Sequence, residues 1–511
     1  MRQLSPAARR LAPVAAVLVA VGGLTAANAA LADEKPVPAL RFVAAGASQT
    51  VERSENGFVS DSIGLYAVAG STPFEIRTRR EPKGPKVTAQ IRKADGTFVA
   101  LPDGVINDVN RLDDFFQFDL KDSTGKVRLR MHSGFCPNAY EAQRADPDAP
   151  ARNPYPQSCG WMPYAYGQIL GIQAGWSVPL FSQWDFPVPS SVKDGTYTAS
   201  AYINLKYRRA LGIPLGDGRA SIKIKLKTVK DGDGPGRGAE PAPSTFGVTA
   251  SPRPAGVRLK PAAAPPKNLL RPASIDKNGP LPDLRPLPAF AIGLDNFDGN
   301  GRPTNKTYLS FAANVWNAGP SPLVVDGFRH TGADYMDAYQ YVFDAAGNQV
   351  GSAPAGTMQW DARKGHQHWH FEDFATYRLL DSTRTKAIVS GKEAFCLAPT
   401  DPIDTTLPGA NLRPATTDLS TACGGKGALS IRETLDAGHG DTYYQGLPGQ
   451  SFDVTNVPNG TYYIQVLANP EGKLIESTHG NNSSVRKVFI GGTPGGKRTL
   501  KVPNIWGIDL Q

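Results

Sequence analysis

The sequence predicts an all-β chain of two β-sandwich-like domains joined by a Pro-rich linker. Of its 511 residues 53 are Gly and 44 are Pro, a composition that favours turns and short strands over long helices. Apolar and polar residues alternate with period 2 in short runs such as Val87-Thr-Ala-Gln-Ile-Arg92 and Tyr197-Thr-Ala-Ser-Ala-Tyr-Ile203. The turn-then-strand sequence Asp194-Gly-Thr-Tyr197 returns as Asn459-Gly-Thr-Tyr462, one copy in each half, as two sandwiches would require. The length exceeds what one ordinary core organises.

Residues 1–32 read as a secretory signal peptide. Arg2, Arg9 and Arg10 precede the apolar run Leu11 to Ala27, and Ala27-Asn-Ala29 and Ala30-Leu-Ala32 offer small-residue cleavage sites. Its removal takes away three arginines and no acid, so the formal charge of +9 falls to +6. The remaining basic residues are scattered, and Lys223-Ile-Lys-Leu-Lys227 alternates like the solvent face of a strand, which argues against a nucleic-acid partner. No later run is apolar for long enough to span a bilayer. The expected address is therefore extracellular, with no membrane partner.

Residues 38–230 are expected to form an N-terminal β-sandwich accessory domain. Its loop from Cys136 to Cys159 carries aromatics and prolines but no cluster of catalytic residue types, which leaves a structural or binding role. Trp161, Tyr164 and Tyr166 are the candidate carbohydrate or partner site there. Residues 231–280, with Gly-Asp-Gly-Pro-Gly, Pro-Ala-Pro and Ala-Ala-Ala-Pro-Pro in succession, form a semi-extended linker that lets the two halves lie apart. Strands return over 281–491, among them Tyr308 to Asn317, Gln450 to Val454 and Tyr462 to Leu467, and 492–511 is a tail. The four cysteines fall as two local pairs, Cys136 with Cys159 and Cys396 with Cys423. In an exported protein these are disulfides, each worth about 3 kcal/mol.

The chemistry concentrates in Gly365-His-Gln-His-Trp-His-Phe371. His366, His368 and His370 are three of only seven histidines, and their period of 2 places three imidazoles on one face of a strand. The outer Cα atoms of a regular strand would lie about 13 Å apart, so the strand must bend or bulge for all three rings to reach one ion at about 2 Å. Neutral imidazoles suit copper, zinc or iron rather than calcium or magnesium, and three protein ligands leave an open position for chemistry.

Downstream come Ser390-Gly-Lys-Glu-Ala-Phe-Cys-Leu397 and Asp441-Thr-Tyr-Tyr-Gln-Gly-Leu-Pro-Gly-Gln450. With the histidines in this order, residues 281 to about 490 resemble the lysyl oxidases, copper amine oxidases that build a quinone from a lysine and a tyrosine. The resemblance makes His366, His368 and His370 the copper ligands, and Lys392 and Tyr443 the parents of lysine tyrosylquinone. Tyr444 offers a second phenol, but the match through Gly446-Leu-Pro-Gly-Gln450 selects Tyr443. The implied reaction converts a primary amine, peptidyl lysine among the candidates, to an aldehyde with dioxygen as oxidant, releasing ammonia and hydrogen peroxide. Such chemistry needs Lys392 desolvated enough to be a neutral nucleophile. Asp441 and Asp373 are the first candidates for the general base, although Asp373 is out of phase with the histidine face.

The resemblance implies a second metal site for calcium, with Asp283 and Glu476 as carboxylates, Leu284 as a carbonyl, and Asn481 and Asn482 as amide oxygens. Thr478 stands where the family has an aspartate, so one charge is missing. Most cysteines of animal lysyl oxidases, and any collagen-like or scavenger-receptor segment, are missing too, so the chain looks like an exported bacterial homologue rather than a matrix crosslinker. The competing class is a non-catalytic secreted sandwich that binds copper or zinc, and Lys392 with Tyr443 discriminates against it. A zinc hydrolase fits less well, because no hydrolase-type glutamate motif accompanies the histidines.

Overall fold

The computed structural model describes residues 40–505 apart from 60–61, 182–185, 231–274, 277–278, 298–301, 331, 363–366, 415–422 and 444–450; the side chains of Asp373 and of 387–393 are likewise outside the description. The assigned signal peptide and nearly all of the assigned linker therefore lie outside the described residues. What is described is β throughout, with one helix, Leu205–Leu211. It ends where Gly212 adopts a left-handed φ of 66° and bonds back to Arg208. Among the described residues no helix is long and apolar enough to cross a membrane.

The N-terminal half holds three sheets. Its five-stranded sheet runs Ser48–Ser54, Arg219–Val229, Gly195–Ile203, Leu112–Lys121, Val127–Phe135, the first pair parallel and the others antiparallel. Along Arg219–Val229 the lysines are exposed and Ile222, Ile224 and Leu226 are buried, as the alternation predicts. The two Gly-Thr-Tyr sequences also behave alike. Tyr197 donates its hydroxyl to Lys193 O at 2.6 Å and Tyr462 donates to Pro458 O at 2.7 Å, each pinning the turn four residues back as in a tyrosine corner.

The C-terminal half has two sheets with a core between them. One contains Leu284–Pro286, Pro303–Asn317, His439–Tyr443 and Asp401–Pro402, with Phe290–Phe297 and Phe452–Asp453 also paired to the long strand. The other has nine strands, with His368–Leu380 near its middle, flanked by Gln349–Asp361, Gly460–Ala468 and Ala387–Phe395. Phe311 and Leu309 of the first sheet meet Trp369, Phe371 and Tyr377 of the second in one apolar cluster. Each such buried side chain contributes about 1.5–3 kcal/mol.

The halves do not lie apart. The segment Pro402–Thr405 binds the edge strand Gly167–Ile172: Tyr166 N and Gly167 N donate to Ile403 O, Thr405 N to Gly167 O, and Gln168 Nε2 to Pro402 O. Phe290 packs against Trp161 and Tyr164, and Ile403, fully buried, joins the N-terminal core. The aromatics taken for a partner site thus touch the other half of the same chain. Two exposed sheet edges are covered at once, which is the physical reason for the contact.

Candidate functional site

The histidine strand is anchored by its odd-numbered face. Trp369, Phe371, Ala375, Tyr377 and Leu379 are buried in the core, which turns His368 and His370 to the other side. The rings of His368 and His370 lie 4.5 Å apart. His370 is buried, and its Nδ1 lies 3.5 Å from the carboxylate of Asp361, whose residue pairs with His368 in the ladder. The strand is not regular around them. It starts at His368, Gln367 just before it is left-handed at φ 48°, and the pairing shifts register between Phe371 and Ala375. Backbone strain at a non-glycine of this kind persists where the site requires it. His366 lies outside the described residues, and among those described no group of three potential metal-binding side chains gathers.

Lys392 belongs to Ala387–Phe395, antiparallel to the histidine strand with Phe395 opposite Phe371 and Lys392 opposite Thr376. Its side chain is outside the description. The strand leads into the Cys396–Cys423 disulfide; Cys136–Cys159 is also formed, so no described cysteine is free. Cys423 O accepts the amide of Trp369, between the two described histidines.

Tyr443 ends the strand His439–Tyr443, opposite Ala313 of the long strand. Its ring sits edge-on to Phe395 at 4.4 Å, and its phenol oxygen accepts the Cys396 amide at 2.6 Å. The next two amides serve acids: Leu397 N donates to Glu433 Oε2 at 2.9 Å and Ala398 N to Asp441 Oδ2 at 3.4 Å. Burial pushes both carboxyls well above the usual carboxylate range, with Asp441 adding to the rise of Glu433 and Asp401 to that of Asp441. Tyr443 retains partial exposure as a residue, yet its oxygen is enclosed; burial, then Asp441 and Glu433, push its phenol up. Tyr444 lies outside the described residues, as does the side chain of Asp373.

Sequence reasoning missed Glu433, Asp401 and His439. Glu433 sits in Ile431-Arg-Glu-Thr-Leu435, where the only signal is a charged pair inside an apolar run. Arg432 is committed to Asp326 by two hydrogen bonds of 2.6 and 2.7 Å, both side chains fully buried. His439 is buried, and burial lowers its imidazole to about 4.

Hydrogen bonds link the residues assigned to calcium in pairs. Glu476 Oε2 accepts Leu284 N, Glu476 Oε1 accepts the amides of Asn469 and Asn482, and both oxygens of Asp283 accept from Asn481 Nδ2. The Oδ1 atoms of Asn481 and Asn482 are buried with no hydrogen-bond partner among the described residues. Two orphaned oxygens beside two carboxylates fit a hard cation. Thr478 instead accepts Gly480 N.

Residues 338–494 match the family model of the lysyl oxidases. A human protein, lysyl oxidase homolog 1, is 33% identical over 125 residues, covering 24% of this chain and 19% of its own length. Lysyl oxidase homolog 4 of Mus musculus is 32% identical over 129 residues, 25% of this chain and 15% of that one. Protein-lysine 6-oxidase of Sus scrofa is 31% identical over 126 residues, 24% of this chain and 44% of that protein. The chain thus spans less than half the length of these relatives.

Proposed function

We propose that the C-terminal half is a secreted, copper-dependent amine oxidase that converts primary amines, peptidyl lysine among them, to aldehydes, with dioxygen as oxidant and ammonia and hydrogen peroxide as products. The observation that carries this reading is one of register. The strand of His368 and His370 pairs with the strand of Lys392, and the phenol of Tyr443 is bonded to the amide of Cys396, which follows that second strand. Lysine tyrosylquinone made from Lys392 and Tyr443 would, with copper, supply the electron sink that amine oxidation needs.

His366, His368 and His370 would hold the copper. Asp361, whose carboxylate lies 3.5 Å from Nδ1 of His370, would orient that ring toward the ion. The Cys396 amide stabilises charge on the Tyr443 oxygen as its proton leaves, and Phe395 shields the ring from water. Asp441, held by Ala398 N, is the candidate base. Calcium between Asp283, Leu284, Glu476, Asn481 and Asn482 would tie the first strand of the half to the connection between Gly460–Ala468 and Ser483–Gly492. The test is peroxide release by copper-loaded protein across alkyl diamines and lysine peptides. Release that depends on amine and is lost in Tyr443→Phe is expected; no release from any primary amine overturns the reading.

A further inference from the structure

We infer that Glu433 acts with Asp441 as the proton acceptor for the phenol of Tyr443, with Thr400 and Asp401 leading the proton away to the domain boundary. This rests on the quinone reading above and adds the residues that make Tyr443 reactive.

The geometry is a row of three amides. Cys396, Leu397 and Ala398 donate in succession to the Tyr443 oxygen, Glu433 Oε2 and Asp441 Oδ2, so three acidic oxygens are gathered along three residues of backbone. Glu433 is fully buried, and its Oε1 has no hydrogen-bond partner among the described residues. An unsatisfied buried carboxyl oxygen is destabilising, so its place beside the tyrosine calls for a role. Arg432 does not neutralise it: neighbours on a strand face opposite ways, and Arg432 is bound to Asp326.

The line continues outward. Thr400 Oγ1 lies 3.5 Å from Asp441 Oδ1 and 2.9 Å from Asp401 Oδ2. Asp401 is buried and hydrogen-bonded by the side chain of Trp161, which is 46% exposed where the halves meet. Asp441 disfavours the charged form of Glu433 in this buried site, so the pair shares protons rather than both ionising, and one of the two is held ready to accept while the other stays neutral. In the step itself the phenol O–H bond breaks, the proton passes to Glu433, and the electron pair stays on the Tyr443 oxygen under the Cys396 amide. No electron leaves in this step; the ring is made ready for oxidation by copper and dioxygen.

The experiment follows the Lys392–Tyr443 crosslinked peptide by mass spectrometry over time in full-length, copper-loaded, aerated protein. Wild type is compared with Glu433→Gln, Glu433→Asp and Asp441→Asn, with copper content and thermal unfolding measured alongside. Glu433→Gln should keep copper and form the crosslink about a hundredfold more slowly, with Glu433→Asp recovering most of the rate. A wild-type rate in folded Glu433→Gln overturns the proposal while leaving the quinone reading intact. If Glu433→Gln does not fold, Asp441→Asn decides on the same terms. No crosslink in wild type overturns the quinone reading and this inference with it.

Discussion

The phenol oxygen of Tyr443 accepts the backbone N–H of Cys396 at 2.6 Å, and the sulfur of that same Cys396 is bonded to Cys423. Since Cys423 O accepts the amide of Trp369, one covalent link joins the tyrosine side of the site to the segment between His368 and His370. The disulfide and the pairing of the tyrosine strand hold this arrangement independently of the hydroxyl, so removing the hydroxyl should leave the scaffold in place.

Tyr443→Phe and Lys392→Ala should each abolish amine-dependent peroxide release and the hydrazine-reactive absorbance while copper content stays at one per chain. Tyr444→Phe should retain both. Loss of activity in Tyr444→Phe with retention in Tyr443→Phe would move the quinone to the neighbouring phenol.

Replacing His368 or His370 by Ala should remove stoichiometric copper without loss of β-sheet signal. Asp361→Asn, which alters the carboxylate 3.5 Å from His370 Nδ1, should weaken copper binding by about 10–100-fold in a chelator competition. Unchanged affinity there would mean that the 3.5 Å contact does not orient the ring.

Much of this was legible in the sequence because period 2 survives burial: the alternating runs became strands, and the paired Gly-Thr-Tyr turns became matching tyrosine corners. The departures share one cause. Gln367 leaves the extended conformation, Glu433 is buried with one oxygen unpartnered among the described residues, and Pro402–Thr405 covers an edge more than two hundred residues away; each is decided by tertiary contact and leaves no periodic trace. The proline-rich composition of 231–280 describes a tether and carries no information about whether its two ends dock.

Calcium added to chelator-treated protein should raise the melting temperature. At about 100 times the dissociation constant the gain is about 2.7 kcal/mol, a shift of several degrees. Asn482→Ala should remove most of that shift, because it deletes one of the two orphaned oxygens. An equal shift in the variant would place the ion elsewhere.

His439 should mark the acid limit of stability. Its folded value, about 4, lies below the unfolded value of 6.5, so the unfolded chain binds more protons between the two. Its contribution is complete above about pH 6.5 and is lost as pH falls towards 4, on the order of 3 kcal/mol. Urea titrations of His439→Gln and wild type should therefore diverge in slope only within that window; parallel curves would remove His439 as the cause.

Docking of the halves should break in Gly167→Val, where a Cβ would sit 2.4 Å from Asp404 Oδ1 and 2.6 Å from Thr406 Oγ1. Wild type should unfold in one denaturant transition and the variant in two. A single transition in both would show that the apolar contact of Phe290 and Ile403 suffices.

Gln168 and Pro402 stand 234 positions apart. A growing polypeptide completes its N-terminal domain long before residue 402 leaves the ribosome, so the edge Gly167–Ile172 is already present as a template when the later segment emerges. Contacts of such long range form slowly, and the strand of Tyr443 pairs with the very segment that must find this template. The order of synthesis therefore runs from the template to the segment that covers it. A circular permutant that begins at residue 281 would reverse that vectorial order while keeping every contact.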